Sequence, residues 1–298
     1  MIKRTVEISN GPVHLSISRG QMKLSYQKEE MHSIPVEDIG LLVLSHPAIS
    51  YTHALLYQLL EHNVVILFCN ASHLPEGMLL PFEHNQVYSE RLQFQVDSKI
   101  PLKKRLWKQV VQAKIKAQSR LLIQKHGDDA GLNHMVSKVK SGDPSNVEAQ
   151  AAKRYWKHLF PKEGFKRDPD QPFANSLLNY GYAVIRAAVA RSLTAAGLHP
   201  SIGLHHHNKY NPYCLADDMM EPLRPIVDAA IYELYEEEDT LRIDVNKVTK
   251  KKLLLLLAEH VIIKEKSYPL MESLHLMSSG LVDCIAGEKD KLSFPELK

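Results

Sequence analysis

The chain has 298 residues, enough for about two domains rather than one core. Its 44% hydrophobic and 24% charged content is that of a folded globular protein and excludes a disordered or fibrous chain. A net charge of only +3 points to no partner by itself, so the placement of the charge has to carry the argument.

Residues 1–85 read as a small β-rich domain. The N-terminus alternates polar and apolar residues, without the apolar core of a signal peptide. Val13, Leu15 and Ile17 alternate with polar neighbours, as do Met22, Leu24 and Tyr26, which is the period of a half-buried strand. Asn10-Gly11 and Arg19-Gly20 supply turns. Ile39 to Leu44 and Val64 to Cys69 read as more deeply buried strands, and Ser50 to Glu61 as the one helix, with Leu55, Leu56, Leu59 and Leu60 on one face.

From residue 86 to 298 the period becomes helical. Leu102 to Lys125 is expected to form a long helix stopped by Gly127. Asp143-Pro-Ser-Asn146 reads as a helix start, continued by Val147 to Leu159. Pro161 to Pro172 is a loop. Ala174 to Ala196 is a helix rich in small residues, and further helices are expected at Leu215 to Tyr235, Lys250 to Ile263 and Tyr268 to Ser278. The tail from Gly287 to Lys298 is polar and expected to be loosely held. The fold class is therefore α+β: a small N-terminal β-sheet domain with one helix, then a larger all-α domain, in which the candidate site residues described below lie.

The cysteines Cys69, Cys214 and Cys284 are odd in number and far apart, which implies no disulfide framework and fits a reducing cytosol. The apolar runs Val64 to Cys69 and Leu253 to Ala258 are too short to cross a bilayer, so no membrane partner is expected.

The long helix carries Lys99, Lys103, Lys104, Arg105, Lys108, Lys114, Lys116, Arg120 and Lys125, with no acid between Lys99 and His126. A helix of one sign repels itself unless something negative lies along it, and a phosphate backbone would serve. The plainer alternatives are a solvated face or pairing with the acidic run Glu233 to Asp239. Lys153, Arg154, Lys157, Lys162, Lys166 and Arg167 form a second basic cluster.

Three segments carry metal-ligand chemistry. Glu148 opens a helix beside the small residues Ala149, Ala151 and Ala152; His205, His206 and His207 stand in a row; Asp218 and Glu221 share a helix face that Arg224 continues. One imidazole with two or three carboxylates favours Mg2+ or Mn2+ over structural zinc. Each segment also has a plain reading: a solvated histidine loop, and acids that charge the first turn of a helix.

In order along the chain, Glu148 with Ala151-Ala152 and Tyr155-Trp156, then Gly203-Leu-His-His206, then Asp218-Met-Met-Glu221-Pro-Leu-Arg224-Pro225 resemble the CRISPR-associated endonuclease and integrase family of spacer acquisition. Leu178 to Ala183 and Gly197 to Gly203 are similar to the family's long core helix and the turn before its histidine, and the resemblance spans nearly the whole chain. Asn208 and the chain length are most similar to the subtype that accompanies the RNA-guided effector nuclease.

The resemblance implies a prokaryotic, cytoplasmic DNA endonuclease and integrase of antiviral defence. Glu148, His206 and Glu221 would be catalytic and metal-binding, with Asp218 as a further metal residue, either a ligand itself or directly behind the ligands, and His205 in reserve. Mg2+ or Mn2+ would be the cofactor. Lys103, Lys104, Arg105, Lys108, Lys114, Arg154 and Arg224 would contact double-stranded DNA. Implied partners are a second copy of the chain, a small ferredoxin-like second adaptation protein in a heterohexamer, and the effector nuclease. The reaction would be transesterification, a 3′-hydroxyl attacking a phosphodiester of the array. Residues 1–85 would serve dimerisation and partner binding. Two other readings remain: a non-catalytic DNA-binding scaffold, and a zinc hydrolase built on His205 to His207.

Overall fold

The computed structural model describes residues 3–27, 29–81, 87–161 and 164–297. The expected domain boundary at 85/86, and Lys162 of the second basic cluster, lie outside the described residues.

The β-rich part contains β1 (Arg4–Ile8), β2 (Val13–Ser18), β3 (Gln21–Tyr26), β4 (Glu29–Pro35), β5 (Ile39–Leu44), β6 (Ile49–Tyr51), α1 (His53–Glu61), β7 (Val65–Cys69) and β8 (Pro75–Leu79). They form two four-stranded sheets, ordered β1-β5-β7-β8 and β4-β3-β2-β6. In the first, β1, β5 and β7 run parallel and β8 antiparallel. The helix expected from Ser50 starts three residues later. Ile49 to Tyr51 pair with β2 instead, and Thr52 caps α1 by accepting the Leu55 N–H.

The first sheet is buried on both faces, as parallel strands require. Leu42, Leu44 and Ile66 pack with Leu15, Met22 and α1. Leu41, Val43, Val65 and Leu67 point the other way, into the core of the helical part. The sheet thus forms one wall of that core.

The helical part runs α2 (Tyr88–Asp97), α3 (Ile100–His126), α4 (Leu132–Val136), α5 (Val147–Leu159), α6 (Ala174–Ala195), α7 (Cys214–Met220), α8 (Arg224–Glu238), α9 (Lys247–Leu255), β9 (His260–Ile263), β10 (Lys266–Pro269) and α10 (Leu270–Ala286). α6 is buried along most of its length and packs against α7, α8, α9 and α10. Gly181 lets it approach α8, because a Cβ there would overlap Val227. Gly127 ends α3 in the left-handed region at φ 75°.

The expected continuous helix Leu215 to Tyr235 is broken. Pro222 and Pro225 lack the N–H that an α-helix interior needs, and Glu221 to Leu223 form a 3-10 turn between α7 and α8. The helix expected over Lys250 to Ile263 is a second correction. α9 ends at Leu255, and the β-branched run Val261 to Ile263 enters an antiparallel hairpin closed by Lys264 and Glu265, both at positive φ. α10 starts at Leu270 rather than Tyr268, since a residue before proline is held extended, and it continues to Ala286.

The tail is not loose either. Glu296 exchanges both backbone hydrogen bonds with Ile262, its carboxylate meets Arg120 at 2.6 Å, and the Gln109 amide donates to the Asp290 carbonyl and accepts the Leu292 N–H. No helix among the described residues is long and apolar enough to cross a membrane.

Candidate metal centre

Glu148 owes its position to the start of α5. Asp143 accepts the N–H groups of Val147 and Glu148, each at 2.9 Å, and Asn146 accepts that of Ala149. These caps satisfy the free donors of the first turn and fix where the Glu148 side chain leaves the helix. Glu221 comes from the proline-bound turn between α7 and α8, and only 8% of its side chain is exposed.

The two carboxylates meet at one cation. The Lys114 ammonium, from the middle of α3, lies 2.6 Å from Glu148 Oε1 and 2.6 Å from Glu221 Oε2. The other Glu221 oxygen accepts from Arg224 Nε at 2.9 Å. Burial alone would push the Glu221 carboxyl up. Arg224 and Lys114 overcome it and hold the group at about 2, so Glu221 is ionised. Burial would likewise lower Lys114, but Glu221 and Glu148 outweigh it and raise the ammonium above its ordinary value.

His206 stands beside this pair and is half-exposed. Its Nδ1 lies 2.5 Å from Asp218 Oδ1, which also accepts the His206 N–H at 3.3 Å. Asp218 Oδ2 accepts the N–H groups of Leu204 at 2.6 Å and His205 at 2.9 Å. Asp218, expected among the metal residues, is thus fully buried with both oxygens engaged by the histidine loop. It holds His206 from behind, the second of the two places expected for it. The hydrogen bond that His206 donates to Asp218 raises the His206 pKa against the effect of burial, and the charges of Glu221 and Glu148 add to the rise.

The three histidines do not converge. His205 stacks on the buried Trp107 ring with centroids 4.3 Å apart and planes 3° apart, and burial followed by the charge of His206 lowers its pKa. His206 meets the same indole edge-on. His207 is exposed and its Nδ1 contacts the His205 carbonyl. A zinc site made of the three has no geometric support.

Two of the residues expected at DNA, Lys114 and Arg224, are engaged inside the site. Arg224 also lies over the Tyr182 ring, 4.4 Å from its centroid. Arg154 is exposed and donates to the Ala130 carbonyl. Lys104 lays its stem over Gly142. Arg105 is exposed and pairs loosely with Asp290 at 3.9 Å, and Lys103 and Lys108 are partly exposed. The acidic run Glu233 to Asp239 takes one cation of α3, Lys125, through Glu236.

Several positioning residues were not singled out from the sequence. Gln95 of α2 accepts the His199 N–H and donates to the carbonyls of His199 and Ile202, clamping the turn that leads into Gly203. Arg186 holds Asp217 at 2.6 Å. The buried Asp228 accepts the hydroxyls of Tyr155, at 2.8 Å, and Tyr182, tying α5 and α6 to α8. Burial pushes its carboxyl up to about 6.

Among the described residues no three His, Cys, Asp or Glu side chains form a ready-made metal cage. The physical reason is Lys114, whose ammonium stands between the two glutamates. The donor set nevertheless fits a hard divalent cation: two carboxylates already gathered around one positive charge, and an imidazole fixed through Nδ1 that leaves Nε2 for coordination. Glu221 Oε2 is buried, and its close contact is the Lys114 ammonium at 2.6 Å, the place a divalent cation would take.

A model of the family described as "CRISPR associated protein Cas1" matches residues 7–260. The CRISPR-associated endonuclease Cas1 of Neisseria meningitidis serogroup C (strain 8013) is 36% identical over 300 residues, covering 100% of this chain and 97% of that protein. Among solved structures, a casposase bound to its integration product superposes with a TM-score of 0.79 at 19% identity, covering 97% of this chain and 92% of the casposase. A chain of a Cas6-RT-Cas1–Cas2 complex does so with a TM-score of 0.78 at 16% identity, covering 99% of this chain and 36% of that one. At those identities the two structures show a shared fold, whereas the family match and the full-length relative show kinship: the chain belongs to the CRISPR-associated Cas1 family.

Proposed function

We infer that the chain is a metal-dependent DNA endonuclease and integrase of spacer acquisition. It joins the 3′-hydroxyl of a short duplex to a phosphodiester of the CRISPR array by transesterification. The observation that carries this reading is the meeting of Glu148 and Glu221 at one ammonium, with His206 fixed beside them by Asp218.

Glu148, Glu221 and the His206 Nε2 would hold Mg2+ or Mn2+. Bound there, such an ion polarises a phosphoryl oxygen and makes a nearby hydroxyl a better nucleophile. The chain's own residues prepare the site. Arg224 and Lys114 keep Glu221 ionised, and Asp218 sets the orientation of the His206 ring. Trp107 and Gln95 hold the loop that carries it. Lys114 and Arg224 leave positive charge close to where negative charge builds on phosphorus. The partly exposed Glu148 and His206 give the phosphodiester its way in. Duplex DNA and a Cas2-like protein are the proposed partners, supported by the casposase product structure and the Cas1–Cas2 assembly among the similar folds. A homodimer and contact with the effector nuclease belong to the same proposal.

The test is strand transfer of a labelled short duplex into supercoiled plasmid bearing leader and repeat. It is run with the Cas2-like partner, in Mn2+ or Mg2+ against EDTA. Metal-dependent label in the plasmid, lost in Glu148→Ala, is the expected result. DNA binding without transfer under either metal would replace this reading with the non-catalytic scaffold.

A further inference from the structure

The side of α3 turned away from the metal centre forms one bank of a groove of about 800 Å³. The opposite bank is the β9–β10 turn and the C-terminal tail. The bank on α3 carries Lys108 and Lys116, and the other carries Lys264 and Lys291. None of these four has an ion-pair partner among the described residues, and Lys116, Lys264 and Lys291 are exposed.

Two of the acids that line the groove face arginines, Glu296 closely at 2.6 Å from Arg120 and Asp290 loosely at 3.9 Å from Arg105. That leaves Glu265 against four lysines. The lining between the banks includes the partly buried Ile262, Leu292 and Phe294.

The groove is built rather than incidental. The tail is held by both ends of the Gln109 amide, by two backbone hydrogen bonds between Glu296 and Ile262, and by the Arg120–Glu296 pair. A bank fixed in advance does not have to be ordered when a ligand binds, which removes one of the main costs of association.

We propose that this groove binds a single strand of nucleic acid, with phosphates along the lysine banks and bases against the apolar lining. Cations on both sides of an apolar channel match a chain whose charge lies on its backbone and whose bases present flat apolar faces. A duplex keeps its base faces stacked inside and offers a groove only its backbone, so the apolar lining between the banks favours an unpaired strand. The groove and the metal centre lie on opposite sides of a single helix, about 10 Å thick. A strand separated from the duplex at the metal centre would therefore find a second seat within a few nucleotides. The choice of nucleic acid over an acidic protein segment rests on the proposed DNA chemistry of the chain; the groove itself does not.

The experiment measures binding of a fluorescein-labelled fifteen-nucleotide oligothymidine, about the length of one single-strand site, and of a duplex of equal length. It uses the full chain in EDTA across a range of salt. Wild type is compared with the double variant Lys264→Glu and Lys291→Glu, both positions exposed and remote from the metal centre. The expected result is single-strand binding weaker by about tenfold or more and a salt slope shallower by about 1.4, the loss of two phosphate contacts. Duplex affinity should be little changed.

Because EDTA removes metal, failure of the metal reading leaves this result untouched. Equal single-strand binding by wild type and the double variant would overturn the proposal. So would a labelled polyglutamate that binds the wild type more tightly than the oligothymidine, which would assign the groove to an acidic protein segment. Should the double variant fail to fold, acetylation footprinting of the wild type decides. Oligothymidine must protect Lys264 and Lys291, and unprotected lysines would sink the idea.

Discussion

Asp218 and His206 form a closed unit: one carboxylate oxygen stands 2.5 Å from the imidazole Nδ1, and the other takes the backbone N–H groups of Leu204 and His205. The ring and the loop that carries it are set by the same buried side chain. A carboxylate behind a ligating histidine fixes its tautomer and raises its basicity, and losing such a partner typically costs about 10 to 100-fold in metal affinity. Asp218→Asn keeps an acceptor for the loop but places an amide against Nδ1. We expect its Mn2+ affinity, measured by calorimetry or electron paramagnetic resonance, to fall by that factor while the folded state survives. Since the Asp218 hydrogen bond raises the His206 pKa, proton and metal compete. Wild-type affinity should drop as pH falls through that raised value. An unchanged affinity in Asp218→Asn would remove His206 from the ligand set.

Gly203 is required for space. A Cβ there would lie 2.5 Å from the His206 carbonyl oxygen and 2.9 Å from Asp218 Oδ2. Both contacts are too short to keep, and one is with backbone. Gly203→Ala should displace the histidine loop and lower Mn2+ affinity at least as much as Asp218→Asn. The cost in stability should be about 1 to 3 kcal/mol, the range for overpacking. Chemical denaturation gives the stability and calorimetry the affinity. A variant that binds metal normally would show that the loop tolerates the shift.

Lys114 and a divalent cation compete for the same two carboxylates. Replacing Lys114 by Met leaves Glu148 and Glu221 facing each other. Removing one partner of a buried ion pair costs about 3 to 5 kcal/mol. The apo variant should therefore melt well below wild type. Added Mn2+ should restore more stability to it than to wild type, because no ammonium has to leave. Thermal melts with and without Mn2+ measure both. Equal metal-induced shifts in the two proteins would mean that the ion binds elsewhere.

The contrast between Glu148 and Lys114 shows what a sequence can and cannot disclose about this site. Glu148 is readable because the caps that position it, Asp143 and Asn146, are within five residues, and Asp218 and Glu221 because they stand three residues apart in the chain, even though Glu221 falls in the turn that ends α7. Lys114 looks like every other cation of its helix. Only packing against α5 and the turn at Glu221 makes it the buried one. Trp107 and Gln95 act on the histidine loop from about 100 residues away, and no period records that. The hairpin at β9–β10 escaped for a different reason. Its turn, Lys264-Glu265, adopts positive φ without the glycine or asparagine that marks such turns, so an apolar run followed by charged residues reads as helix. The tail reads as loose because the side chain that fastens it, Gln109, lies in another helix.

Asp228 gives the fold a pH dependence whose sign is fixed by its burial. Its carboxyl titrates at about 6 in the folded chain, against the ordinary value of 3.8. The folded state therefore holds a proton between those values that the unfolded chain has released. Stability from this group is fully present below about pH 4. It is lost as pH rises through about 6 and is level above that. A separation of about two units corresponds to about 3 kcal/mol at most. Asp228→Asn resembles the protonated acid and has no such titration. Its stability relative to wild type, from urea unfolding in EDTA at several pH values from 4 to 7.5, should therefore improve as pH rises and then level off. Parallel curves for the two proteins would show that Tyr155 and Tyr182 stabilise the carboxylate as well as water does, and that Asp228 titrates at the same pH folded and unfolded.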